Sequence, residues 1–117
     1  MYEEMFEIAC KTFTIDDLLR CSYNLNKNEL RVLRYLLQNG KADVKEISSK
    51  LKLERSTVQK ILSKLLEKKL VSRMQINLHK GYKYYYVVKN PNEIKKEVMA
   101  LLDRWYEKAK NVLNTWI

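Results

Sequence analysis

One stretch, Asp43 to Tyr86, limits what this chain can fold into more than any other. A capped helix from Asp43 to Leu51 runs into a tight turn. A second helix, R-S-T-V-Q-K-I-L-S-K-L-L-E-K-K, then covers Arg55 to Lys69, and two strands follow around a basic tip, His79-Lys80-Gly81. The order is helix, turn, helix, wing. Charge is concentrated on the same unit. Lys41 to Lys83 carries 12 Lys and Arg against 4 acids (Asp43, Glu46, Glu54, Glu67), a net of +8, while the whole chain of 117 residues is only +9. All other residues together therefore contribute +1. Positive charge gathered on one unit points to a polyanionic partner.

Local signals divide the rest of the chain. Met5, Ile8, Ala9, Phe13 and Ile15 suggest an N-terminal helix, and Thr14-Ile15-Asp16-Asp17 resembles a second helix start. This segment is net −3 through Arg20, a poor candidate for a polyanion-binding face. Asn26 with Glu29 three positions on forms a capping box, and Leu25 and Leu30 a hydrophobic staple. Leu30, Leu33, Leu36 and Leu37 then share a face up to the stop at Gly40. Asp43 and Glu46 repeat the capping pattern, and Val44, Ile47 and Leu51 form the buried stripe behind it. Leu53 plugs the turn. In the helix from Arg55 the apolar face is Val58, Leu62, Leu65 and Leu66, with Ile61 at its edge. Val71 to Leu78 alternates with period two, and Tyr82 to Val88 is aromatic and β-branched, so the two are expected to form a hairpin. Asn90 caps a last helix with Pro91 at its first position. Along it Ile94, Val98, Leu101, Trp105, Ala109, Val112 and Trp116 recur close to a heptad seam. Asn92 to Ile117 can run about 39 Å, more than a small domain needs for its own core.

The polar face of the Arg55 helix suits a DNA major groove, which admits an α-helix whose N-terminal residues reach base edges. Arg55 can donate bidentately to guanine, and Gln59 can pair with adenine. Ser56 and Thr57 can contact phosphate or base edges, and Thr57 can instead be a partly buried first-turn residue. Lys60 and Lys64, one turn apart, suit phosphates, with Ser63 beside them. Glu54 stands where a small cap is expected; its carboxylate favours the helix N-terminus but repels phosphate. At the wing tip, His79, Lys80 and Lys83 can lie on phosphates or enter the minor groove, and Gly81 permits a positive-φ turn.

Each of these features has a plainer alternative. A basic helix face is usually a solvated surface, but here it coincides with the helix-turn-helix pattern. His79 alone reads as a surface residue. Tyr82, Tyr84, Tyr85 and Tyr86 could stack on bases as in single-strand binders, although alternation turns half of them inward. Trp105 and Trp116 read as interface or core anchors. Cys10 and Cys21 form no C-x-x-C pair and are expected to be reduced, partly buried thiols. With one His, no glycine-rich phosphate loop and no nucleophile–base pair, no enzyme is expected, and neither a cofactor nor a metal. Glu3-Glu4 and Asp16-Asp17 read as helix-end charges. No stretch approaches the roughly 18 apolar residues of a membrane span, and the acidic start differs from a secretory signal. A cytoplasmic, nucleoid-associated protein is the expectation.

The pattern L-x-L-x-R-S-T-V-x-x-x-L-x-x-L from Leu51 to Leu65 resembles the winged helix-turn-helix transcriptional regulators of archaea and bacteria. K-G-Y-K-Y-Y-Y-V (Lys80 to Val87), followed by N-P-N-E-I (Asn90 to Ile94), is similar to the DNA-binding part of TrmB-like proteins, with MarR-like proteins second. The resemblance implies a homodimer on a near-palindromic operator. The Arg55 helix would enter the major groove and the Lys80 tip would flank it. TrmB-like proteins often carry a further sugar-sensing domain; the chain ends at Ile117, and no effector site is implied there. Two departures stand out. Lys52 and Lys69 occupy positions where the family often has Gly, and a positive φ at either would cost a non-Gly residue on the order of 1 kcal/mol. Val71-Ser72-Arg73 also lacks the Asp of the Asp-x-Arg pattern that opens the MarR-like wing.

The expectation is therefore a mostly α fold with a β-hairpin wing, a single winged helix-turn-helix domain over residues 1–117. Residues 1–24 form an N-terminal flanking segment, 25–89 the winged core and 90–117 a dimerisation helix using the seam from Ile94 to Trp116. The expected function is sequence-specific regulation of transcription by a homodimer on double-stranded DNA. The alternatives are a nonspecific architectural DNA binder and a winged protein-interaction module.

Overall fold

A computed structural model describes residues 14–117. The N-terminal helix expected through Met5, Ile8, Ala9 and Phe13, together with Glu3-Glu4 and Cys10, lies outside the described residues. Five helices and three strands follow: α1 (Ile15–Tyr23), α2 (Lys27–Asn39), β1 (Lys41–Ala42), α3 (Val44–Leu51), α4 (Arg55–Glu67), β2 (Val71–Leu78), β3 (Gly81–Val88) and α5 (Pro91–Asn114). The fold is the mostly helical one with a hairpin wing that the sequence predicts.

Helix starts lie where short-range chemistry puts them. Thr14 and Asp17 cap α1 reciprocally at 3.1 and 3.3 Å. Asn26 and Glu29 do the same for α2 at 2.8 and 2.9 Å, and the stapling pair Leu25 and Leu30 is buried. At α3 only half of the box forms. The Asp43 carboxylate accepts from the Glu46 N–H at 2.7 Å, but the Glu46 carboxylate accepts instead from the Tyr35 hydroxyl. That hydrogen bond pushes the Tyr35 phenol up to about 12. The exchange fastens α3 to α2, which sequence spacing alone does not reveal. Asn90 caps α5 through the Asn92 N–H at 2.9 Å, with Pro91 at the first helical position.

The core gathers around α2 and α4. Val32, Leu33, Leu36, Ile47, Val58, Leu62, Leu65 and Leu70 are fully enclosed. Val32 belongs to this core although the expected α2 face omits it, and Leu37 is only half-buried. On α4 Ile61 is buried and Leu66 half-buried, the reverse of the expected order. Burying a side chain of this size contributes about 1.5–3 kcal/mol, so these residues fix the roll of α4 and hence the direction of its polar face.

The sheet has the order β1-β3-β2 and is antiparallel throughout. The hairpin register pairs Val71 with Val88 and Leu78 with Gly81, leaving His79-Lys80 as a two-residue loop. The two-residue strand β1, which has no counterpart in the sequence-based expectation, pairs Lys41 with Val87 and Ala42 with Tyr86. It ties the start of the helix-turn-helix to the wing.

α5 has two different halves. Its root, Ile94 and Val98, packs in the chain's own core, 4% and 8% exposed. Of the expected dimer seam, these two side chains are largely covered by the chain itself, because α1 packs against the root. Leu101 and Ala109 are half-buried, while Trp105, Val112 and Trp116 are 68–74% exposed. The root is also clamped by polar contacts. The Tyr23 hydroxyl donates to Glu97 at 2.6 Å, and Lys89, just past β3, pairs with the same carboxylate. Burial, then the Glu97 hydrogen bond, raises the Tyr23 pKa. The bonds from Lys89 and Tyr23 hold Glu97 below the usual carboxylate range.

Candidate nucleic-acid interface

The turn between α3 and α4 is built without glycine. Lys52 ends α3 in the left-handed region at φ 56°. Its N–H donates to the Ser48 carbonyl, and three further hydrogen bonds hold the turn. The Leu53 N–H donates to the Ser48 carbonyl at 3.1 Å. The Ser48 hydroxyl donates to the Leu53 carbonyl at 2.5 Å, and the Arg31 guanidinium to the Leu51 carbonyl at 2.8 Å. Lys69, between α4 and β2, sits at φ 60°. Both positions singled out as departures from glycine therefore adopt the conformation that glycine favours.

α4 leaves this turn with its apolar side fixed in the core. Arg55, Ser56, Gln59, Lys60, Ser63 and Lys64 are exposed and Thr57 is half-buried. Among the described residues, none of these seven side chains takes part in an ion pair or a side-chain hydrogen bond. Glu54 makes no side-chain cap bond to α4, so the first-turn N–H groups of the helix stay open beside Arg55 and Ser56. An uncapped helix start favours an anion. The Glu54 carboxylate next to it works against that preference.

The hairpin uses its cations differently. His79 and Lys80 form the loop and are exposed. Lys83 is not free at the tip: its ammonium pairs with Asp43, the cap of α3, at 2.7 Å. The hydrogen bond it donates to Asp43 raises the Lys83 pKa. Burial opposes ionisation of Asp43, but the bonds from Lys83 and the Glu46 N–H outweigh it and keep that carboxyl below its ordinary value. Lys83 thus acts as a brace between wing and α3. Arg73 stacks its guanidinium on Tyr84 at 4.4 Å, and Lys41 lies 5.6 Å from the Tyr85 ring. Tyr86 is buried, Tyr84 and Tyr85 half-buried and Tyr82 exposed, a more graded pattern than the half-inward alternation expected. Lys52, exposed at the turn before α4, is a further cation of the helix-turn-helix, beyond the docking residues expected from the sequence.

Comparison with known proteins places this geometry. Residues 19–92 match the sugar-specific transcriptional regulator TrmB family. The chain belongs to the TrmB family. It is 40% identical over 103 residues to an uncharacterised protein of Methanocaldococcus jannaschii, covering 88% of this chain and 86% of that one. A possible transcriptional regulator from Methanosarcina mazei Go1 superposes with a TM-score of 0.80 at 34% identity, over 92% of each chain. A MarR-like transcriptional regulator from Thermotoga maritima shares the fold at 20% identity, with a TM-score of 0.55 over 99% of this chain and 80% of that one. This TrmB-family chain is a DNA-binding transcriptional regulator with a winged-helix fold. Cys21 is exposed rather than partly buried. Asp16 and Asp17 serve α1 and its packing, Asp16 pairing with Arg34 at 2.6 Å. Among the described residues no helix is long and apolar enough to cross a membrane.

Proposed function

We propose that this TrmB-family protein recognises specific double-stranded DNA as a homodimer through α4. The observation that carries the reading is the outward side of α4: cationic, exposed and without partners among the described residues. Arg55 and Gln59 read base edges, and Ser56 and Thr57 stand beside them at the start of the helix. Lys60, Ser63 and Lys64 contact phosphate, while His79 and Lys80 contact the backbone or minor groove next to the helix. Lys83 is left out of this group, since Asp43 already holds it. Residues 25–89 form the DNA-docking unit, and 90–117, helped by 1–24, join two copies. Two α4 helices then sit about 34–36 Å apart, one turn of duplex. Exposed aromatic side chains on the distal part of α5 support the dimer.

Selection of bound duplexes from a random pool tests this reading. A recurring two-fold half-site is expected, and Arg55→Ala or Gln59→Ala should relax the preference at single positions. Equal enrichment of all sequences would favour the architectural binder instead. No binding even at low salt would favour a protein-interaction module.

A further inference from the structure

The two halves of α5 are complementary to each other, which gives the orientation of the dimer. At the root, Ile15, Leu18, Leu37, Met99 and Leu102 border a groove of about 590 Å³ whose floor includes Ile94 and Val98. Ile15, Met99 and Leu102 are 71%, 56% and 43% exposed. At the tip, Trp105, Tyr106, Val112, Leu113 and Trp116 project with 59–74% of their surface open. One end of the helix offers a hole and the other offers knobs of the size that fills it.

A single straight helix cannot bring its tip onto its own root. A second copy can, and a closed two-fold pair allows this only if the helices run antiparallel. We infer that the groove at the root of α5 receives the tip of the partner's α5. This rests on the homodimer proposed above and adds its orientation. The register that lays the tip along the groove puts the two-fold axis between Asp103 and Arg104. Lys95, on the groove rim, then faces the partner's Val112, and Pro91 faces the partner's Trp116. A parallel pair would set groove against groove and tip against tip, matching neither hole with a knob. The area is sufficient. Trp105, Tyr106 and Trp116 alone offer roughly 400 Å² of ring surface, about half of the ~800 Å² per partner that a standard interface buries; Val112, Leu113, Met99 and Leu102 add to it.

Disulfide trapping in the full chain tests the orientation, in a background with Cys10→Ser and Cys21→Ser to remove the native thiols. The double variant Lys95→Cys/Val112→Cys should give a covalent dimer on mild oxidation. Val112→Cys alone should give none. Within one copy the two positions are about 25 Å apart along the helix and cannot bridge. Sedimentation of each variant shows whether the dimer is retained, and Leu113→Cys replaces Val112→Cys if that substitution dissociates it. A dimer in which Val112→Cys bridges to itself overturns the antiparallel orientation while leaving the homodimer intact. A dimer with no bridge in either pair also overturns it, and assigns the groove to another occupant such as residues 1–13. A monomeric parent protein sinks the homodimer reading and this inference together.

Discussion

α4 and the hairpin carry the same kind of charge, yet the fold uses it in opposite ways. On α4 Arg55, Lys60 and Lys64 stand in solvent with no partner among the described residues. On the wing, Lys83 is paired with Asp43 and Arg73 is stacked on Tyr84, and on the neighbouring β1 Lys41 lies over Tyr85; at the loop, Lys80 and His79 have no partner among the described residues. A charge count treats these cations alike. The difference lies in what each side chain has already satisfied. A cation engaged within its own chain must give up that interaction before it can meet a phosphate, whereas an uncommitted one gives up only water.

Substitutions can break this contrast, and the largest effect is expected on α4. Arg55→Ala should weaken binding to the preferred duplex by about 1–3 kcal/mol and relax the choice of base at one position in each half-site. Competition titrations against single-position variants of the selected site measure this. If Lys83→Ala proved as costly to affinity as Arg55→Ala, the division between free and committed cations would be wrong.

Next in size is the brace itself. Asp43→Ala removes the α3 cap and releases Lys83, and should cost about 1 kcal/mol of folding stability from the cap, measured by urea unfolding. Its effect on nonspecific DNA affinity should be small or favourable, because Lys83 gains freedom. The two lysines held at positive φ provide a paired test of similar size. Lys52→Gly and Lys69→Gly should each stabilise by up to about 1 kcal/mol. Lys52→Gly should also weaken DNA binding, since it removes an exposed cation from the turn before α4.

A finer test uses salt. Lys60→Ala should flatten the dependence of log affinity on log salt by about one unit for each phosphate it no longer neutralises, while Lys83→Gln should leave the slope unchanged. The smallest effect concerns acid. The Asp43 carboxyl is held below its unfolded value, so its contribution is present above about pH 4, where the unfolded carboxyl is ionised. It disappears as pH falls through the lower folded value. Asp43→Asn should therefore make unfolding less sensitive to pH below about 4, seen as a shallower acid limb in thermal melts.

Much of the fold was legible because its signals are short-range. Thr14, Asn26, Asp43 and Asn90 each announce a helix within three residues, and the alternation of Val71 to Leu78 needs no distant information. β1 was not legible, since two residues carry no period and Lys41-Ala42 become a strand only when Val87 and Tyr86 pair with them. The same holds for Glu46, whose carboxylate goes to Tyr35, and for Lys83, whose partner Asp43 lies far back in the chain. The residues of the candidate face on α4 were legible. Whether that face was free was not, because availability depends on interactions made across the fold. Ile94 and Val98 show the converse: a seam regular in sequence is divided by packing into a root that stabilises the chain and a tip left for another surface.

The most direct measurement is an amide chemical-shift map of the full chain titrated with its selected duplex. If the free cations of α4 are the docking surface, the largest perturbations fall on Arg55 to Lys64 and on His79-Lys80, with little change along the tip of α5. Perturbations centred on the tip of α5 or on α1, with α4 unmoved, would contradict this.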